Sequence, residues 1–246
     1  GIKLADEYIK EKEKYGHWKD TAIIIKGDAV WNFTVMFLSM WDFLRGANEN
    51  FYDFKVNFDY KICDNGYVQP YSDNPLDGEL VGKTVYMNLI NKANRYLYIT
   101  TPYLVIDSEM LTALKSAAKG GVDVRIIIPH ITDSKVADAV AKSYYQTLIE
   151  SGVKLYEYMP GFIHSKTFVL DDEYGVVGSV NMDFRSLYLH FECAVWMYKT
   201  KSVYEVKEDF LTILEKCRQI TEQDTKSVKW YKALWCIVLR VFAPMV

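Results

Sequence analysis

The stretch that most constrains the fold runs over residues 163–196 and reads IHSKTFVLDDEYGVVGSVNMDFRSLYLHFECAVW. Residues 162–170 are rich in β-branched and aromatic side chains, residues 171–173 carry turn chemistry, and residues 175–180 form a second apolar run. This pattern predicts two neighbouring strands and the start of a third. Strand side chains alternate between faces. His164 and Lys166 are therefore expected on one face, and Ser179 and Asn181 on one face at the end of the next strand. Asp171 has the opposite parity and is expected to orient or support the others.

An imidazole, an ammonium, a hydroxyl and an amide brought into one small volume suit a phosphodiester. Histidine supplies a nucleophile or general acid near neutral pH. Lys166, Ser179 and Asn181 are candidates to hold the phosphoryl oxygens as charge redistributes. Glu192 is a candidate to hold the other imidazole nitrogen, as the acid of a triad does. Such a site needs no metal. A lone His-x-Lys would read as a buried histidine beside a surface lysine, but six specified positions at fixed spacing carry more information.

His164-x-Lys166, Asp171 after four further residues, and Gly178-Ser179-x-Asn181 resemble the HKD signature of the phospholipase D superfamily. With the downstream Glu192, the stretch is most similar to the second HKD half of bacterial cardiolipin synthases. The resemblance implies an α/β fold: a phospholipase D-like mixed sheet flanked by helices, with the second half complete and the first only partly present. The implied divisions are 1–46, a remnant of the first half; 47–61, a linker; 62–221, the second HKD domain; and 222–246, an amphipathic tail. Residues 1–9 resemble the segment after a first HKD motif, with Lys3 in the place of a phosphate-binding Asn. The first half's own His and Lys would lie upstream of Gly1. Asp20, the acid after Trp18, becomes a candidate to support that absent histidine. His17 has no partner at motif spacing and reads as a loop residue.

The activity implied is transphosphatidylation, in which two phosphatidylglycerols give cardiolipin and glycerol through a phosphatidyl-histidine, without a cofactor. The implied partners are phosphatidylglycerol, an anionic membrane surface and the missing N-terminal HKD half. The implied location is the cell membrane, with the catalytic part on its cytoplasmic side. A homodimeric phosphodiesterase or nuclease, or an inactive membrane-binding remnant, are the alternatives. A net charge of −3 argues against a nucleic-acid partner, since such surfaces are usually basic.

The rest of the chain supplies a scaffold. Residues 21–26 read as a strand. Gly27 and Asp28 are expected to cap a long helix to residue 44, closed by Gly46; it is apolar nearly all round and is expected to be buried. Strand-like and helical patterns then alternate from residue 66 to residue 158, including a continuous β-branched run at 122–128. This order predicts a mixed or parallel sheet covered on both faces. Ser202-x-x-Glu205 reads as a capping box before a helix with Val203, Val206, Phe210, Ile213, Leu214 and Cys217 on its apolar stripe. Cys193 and Cys217 read as small core residues, and the four cysteines lack paired spacing, which fits a reducing compartment. In the tail, Lys229, Lys232, Cys236 and Arg240 form one helical stripe, and Trp230, Leu234, Ile237, Val238 and Val241 another. Two readings stay open for it: a helix lying in the lipid interface or a packed terminal helix.

Overall fold

The β-branched run after Gly121 becomes the middle of the sheet. The computed structural model describes residues 14–57, 66–75, 77–226, 235 and 238–240. In it β4 (Asp123–Pro129) runs parallel to β2 (Tyr96–Thr100) and β5 (Lys154–Tyr158). Beyond β2 the sheet turns antiparallel through β6 (Thr167–Leu170), β7 (Tyr174–Gly178), β9 (Glu192–Tyr198) and β1 (Tyr67–Asp73). β10 (Cys217–Gln219) closes the far edge against β5, giving eight strands in the order β1-β9-β7-β6-β2-β4-β5-β10. A separate parallel pair joins β3 (Leu104–Val105) to β8 (Met182–Asp183).

The alternation of side chains divides the core into two layers. Leu97, Ile99, Val124, Ile126, Phe168 and Leu170 face helices α2 (Val81–Lys92), α3 (Ser108–Lys119) and α4 (Lys135–Ile149). Tyr98, Ile127, Val169, Val177 and Met197 face the other way, onto α6 (Lys201–Leu214). The short α5 (Phe184–Tyr188) follows β8, and α7 (Glu222–Lys226) follows β10. The sheet is thus mixed and covered on both faces, as the alternating pattern predicts.

Several local expectations change. Residues 21–26 form no strand, because no neighbouring strand offers its hydrogen bonds among the described residues. They keep a strand's alternation nonetheless: Ile23 and Ile25 pack on the inner layer beside α6, while Ile24 is exposed. Helix α1 (Val30–Arg45) ends on Gly46 in the left-handed region, as expected, but starts after Ala29 with no side-chain cap. Its expected burial does not hold either. Only Leu38 is buried, and Phe37, Phe43 and Leu44 are 61%, 67% and 74% exposed. Its described neighbours are β1 and a 3-10 turn, Phe51–Phe54, where Tyr52 stacks on Trp31. These cover only part of a helix that is apolar all round. Ser202 lies inside α6, whose N-cap is Thr200 without a side-chain bond, so no capping box forms. Cys217 begins β10 rather than extending the helix, and Cys193 and Cys217 are half-buried free thiols.

Lys3, Cys63 and most of the tail lie outside the described residues. At the tail's described end Leu239 packs on the core, and the Arg240 guanidinium sits 4.2 Å from the ring centre of Tyr144 on α4. Arg240 therefore belongs to a packed contact here, while Trp235 and Val238 remain exposed.

Candidate active site

His164 and Lys166 lie in the extended segment that leads into β6. That segment is held by a second one from the start of the chain. His17 N–H donates to the Pro160 carbonyl (2.9 Å), Lys19 N–H to that of Phe162 (3.0 Å), and His164 N–H to that of Lys19 (2.7 Å). A β-carbon on Gly161 would overlap the backbone of Tyr15 and His17, so only glycine allows this approach. The parallel bridge between Lys19 and Ile163 sets the register and lays Asp20 beside His164. His164 Nδ1 stands 3.0 Å from Asp20 Oδ2, and both side chains are nearly buried. Trp18 and Phe162 wall the imidazole, with ring centres 5.3 and 6.0 Å away.

Burial alone would raise the Asp20 carboxyl, but the hydrogen bond and charge of His164, with the charge of Lys166, hold it below its usual value. Asp20 thus remains a carboxylate that orients His164. The hydrogen bond expected from Glu192 is thus made by Asp20, which the resemblance sets beside a histidine of the absent half. Glu192 opens β9 opposite Asp73, and its two oxygens are already engaged. Ser179 Oγ donates to one, and Ser186 Oγ donates to the other at 2.7 Å. His190 Nδ1 lies 3.5 Å from that second oxygen.

Lys166 is buried, and its ammonium donates to the His164 carbonyl. The Lys166 carbonyl accepts from Gly178 N–H at 3.3 Å, so Lys166 and Ser179 meet at the same end of β6 and β7. The regular ladder ends there. Ser179 N–H donates to the Cys193 carbonyl, and its hydroxyl accepts from Cys193 N–H at 2.9 Å. Asn181 N–H donates to Ser186 Oγ, while its Oδ1 is buried without a hydrogen-bond partner. Burial pushes the nearby Asp183 carboxyl up, against the bond it accepts from Ser186 N–H.

Asp171 sits apart from this group. It occupies the left-handed region at the β6–β7 turn (φ 57°) and is buried. Its carboxylate accepts the N–H groups of Asn94, Arg95 and Tyr96 at 2.7–2.9 Å. It therefore fastens the turn to the start of β2. His17 is a loop residue, as expected, paired with the Tyr158 hydroxyl at 2.9 Å.

Sequence reasoning missed Trp18, Phe162, Ser186 and His190. One signal was available: Asp20-Thr-Ala-Ile-Ile-Ile repeats the pattern of Glu192-Cys-Ala-Val-Trp-Met. Among the described residues no group of three or more His, Cys, Asp or Glu is arranged to hold a metal ion.

Comparison with known families matches residues 86–214, just over half of the chain, to the family described as "Cardiolipin synthase, PLD-like domain". The chain belongs to this phospholipase D-like family of bacterial cardiolipin synthases. Among relatives in the cardiolipin synthase family, a protein of Halalkalibacterium halodurans named cardiolipin synthase is 34% identical over all of this chain and 49% of its own length. An uncharacterized protein of Streptococcus mutans is 48% identical over all of this chain and 53% of its own. The chain thus spans about half the length of the curated relatives it matches. The same fold occurs in the phospholipase D family member Nuc from Salmonella typhimurium (TM-score 0.53, 22% identity, 63% of this chain and 99% of that one).

Proposed function

We propose that this chain is the second half of a cardiolipin synthase and builds its active site with an upstream half. The observation that carries the reading is the Asp20–His164 pair. A carboxylate on Nδ1 fixes the tautomer and leaves Nε2 for chemistry. In the proposed cycle a histidine of the upstream half attacks the phosphorus of phosphatidylglycerol. The P–O bond to the departing glycerol breaks, and His164 Nε2 gives that oxygen its proton. His164 then takes the proton from a hydroxyl of a second phosphatidylglycerol. The oxygen attacks phosphorus, the P–N bond breaks, and cardiolipin leaves. Lys166, Ser179 and Asn181 hold the non-bridging oxygens, and Asp171 supports the scaffold.

Two features support the upstream half as partner. In this reading Glu192, which also accepts the Ser179 and Ser186 hydroxyls, turns to the upstream histidine as Asp20 does to His164. Helix α6 buries Val203, Val206, Phe210 and Ile213. The same spacing in α1 selects Val30, Phe33, Phe37 and Met40, of which Phe37 and Met40 are exposed. In this reading Val30, Phe37 and Met40 pack on the sheet of the upstream half, while Phe33 already packs on the inner layer of this chain. This reading has the chain act at an anionic lipid surface; no helix among the described residues is long and apolar enough to cross a membrane.

The test is to incubate labelled phosphatidylglycerol with the full-length protein and separate the products by thin-layer chromatography. Cardiolipin and glycerol are expected in equal amounts. The isolated 246-residue chain is expected to be inactive as a monomer, because one histidine cannot serve as both nucleophile and leaving-group acid in one transition state. Cardiolipin formation by a demonstrated monomer overturns the shared site; activity rising as the square of concentration indicates two paired copies instead.

A further inference from the structure

A cleft of about 670 Å³ opens between α1 and the ends of β1 and β9, within the range typical of small-molecule sites. Its two walls differ in chemistry. One is apolar, formed on α1 by Val35, Met36 and Phe43. The other is rich in hydrogen-bond acceptors: Asp73, Asp77, Ser179 and Glu192. Asp73 is buried and already accepts Gly82 N–H at 2.6 Å. An acidic wall disfavours a phosphate and favours hydroxyl donors. Ser179 and Glu192 join the cleft to the candidate active site, and Lys166 lies at the adjoining end of β6.

We propose that this cleft holds one hydrocarbon chain of the amphiphilic substrate, with hydroxyls of its head against the acidic wall. The inference rests on the reading of the site as one for a lipid phosphodiester. In this arrangement the phosphorus lies past Ser179, towards Lys166. At 3.6 residues per turn, the Asn32, Met36, Ser39 and Phe43 stripe lies about 110° round the helix from the Val30, Phe33, Phe37 and Met40 stripe that turns towards the upstream half; the two share an edge at Met40, which lines the cleft as well.

The test is calorimetric titration of the 246-residue chain with monomeric hexyl, octyl and decyl phosphates, and separately with monomeric dihexanoyl phosphatidylglycerol. Each methylene buried in the cleft raises affinity about fourfold, so each two-carbon step is expected to raise it at least tenfold. Ser39 is exposed and lines the cleft; Ser39→Trp fills it and is expected to flatten the series. Phe43→Ser, also at an exposed position, is a second variant that removes apolar wall and is expected to reduce the slope. Ile24→Ser, on an exposed side chain away from the cleft, is expected to leave the series steep. A flat series in the unaltered chain overturns the proposal, and so does a steep series that neither cleft variant changes. If the alkyl series is steep and Ser39→Trp flattens it while the phosphatidylglycerol does not bind, the cleft stands and the phosphatidylglycerol reading falls. If the phosphatidylglycerol binds while the series is flat, that reading stands and the cleft falls.

Discussion

Nδ1 of His164 lies 3.0 Å from Oδ2 of Asp20, although 144 residues separate them in sequence. The pair is nearly buried, and the imidazole is walled by Trp18 and Phe162. In the proposed cycle a carboxylate in that position fixes the ring, so its loss is expected to act on turnover rather than on substrate affinity.

Asp20→Asn in the full-length enzyme is therefore expected to lower kcat about 10²-fold or more with little change in KM. His164→Ala is expected to abolish cardiolipin formation, and Lys166→Ala nearly so. Product analysis on labelled phosphatidylglycerol measures all three. Turnover by His164→Ala at the unaltered rate would remove His164 from the chemistry.

Asp171 is tied into the fold, its carboxylate accepting three backbone N–H groups. Asp171→Ala leaves three backbone N–H groups without their acceptor, at a cost of about 3 kcal/mol or more. Asp171→Asn keeps one oxygen and a residue that tolerates the left-handed region, so it is expected to cost less. Urea denaturation of the 246-residue chain gives both values. A fully stable Asp171→Ala protein that has lost all activity in the full-length enzyme would point to a direct chemical role.

Asp107 caps α3 through Met110 N–H at 2.8 Å and pairs with Lys83, also at 2.8 Å. Burial alone would raise its carboxyl. The hydrogen bonds from Lys83, Met110 and Tyr188 outweigh that and hold it below its ordinary value of 3.8. A depressed carboxyl stabilises the fold above its unfolded pKa and loses that contribution as pH falls through the folded one. Asp107→Asn preserves the cap oxygen and removes the charge, so it is expected to cost about 1–3 kcal/mol near neutral pH. The gap is expected to close as pH falls below 3.8. Denaturant midpoints from pH 7 to pH 3 follow it; a gap unchanged at the acid end would exclude the ion pair as its source.

Burial pushes the Cys217 thiol up to about 12 and raises that of Cys193. Since the thiolate is the reactive form, both are expected to alkylate slowly in the native chain. Iodoacetamide at pH 8 should modify Cys217 at least 10²-fold faster in denaturant than in buffer. Peptide mass mapping over time measures the ratio, and equal rates would contradict the packing of Cys217 on the inner core layer, where its thiol donates to the Ile213 carbonyl at 3.2 Å.

What the sequence revealed was decided by local patterns. The β4 run and the β6–β7 turn follow from branching and turn chemistry within a few residues. The partner of His164 did not, because it depends on which distant segment pairs with residues 160–164. The bridge at Lys19 and Ile163 is a tertiary contact with no local signature. The exposure of α1 was hidden for a related reason: an apolar helix states that it needs a cover, not where the cover comes from. At Ser202 a motif matched by letter was overruled by register, since the N-cap of α6 is Thr200, two residues earlier.

The crossing of Asp20 onto His164 also bears on inheritance. Joining segments from two related proteins within residues 47–61 would give His164 an orienting acid from one parent and its neighbours Lys166, Ser179 and Asn181 from the other. Substitutions around Trp18–Asp20 and around Phe162–His164 are thus matched as a set. A recombination point that looks harmless along the chain separates residues that touch.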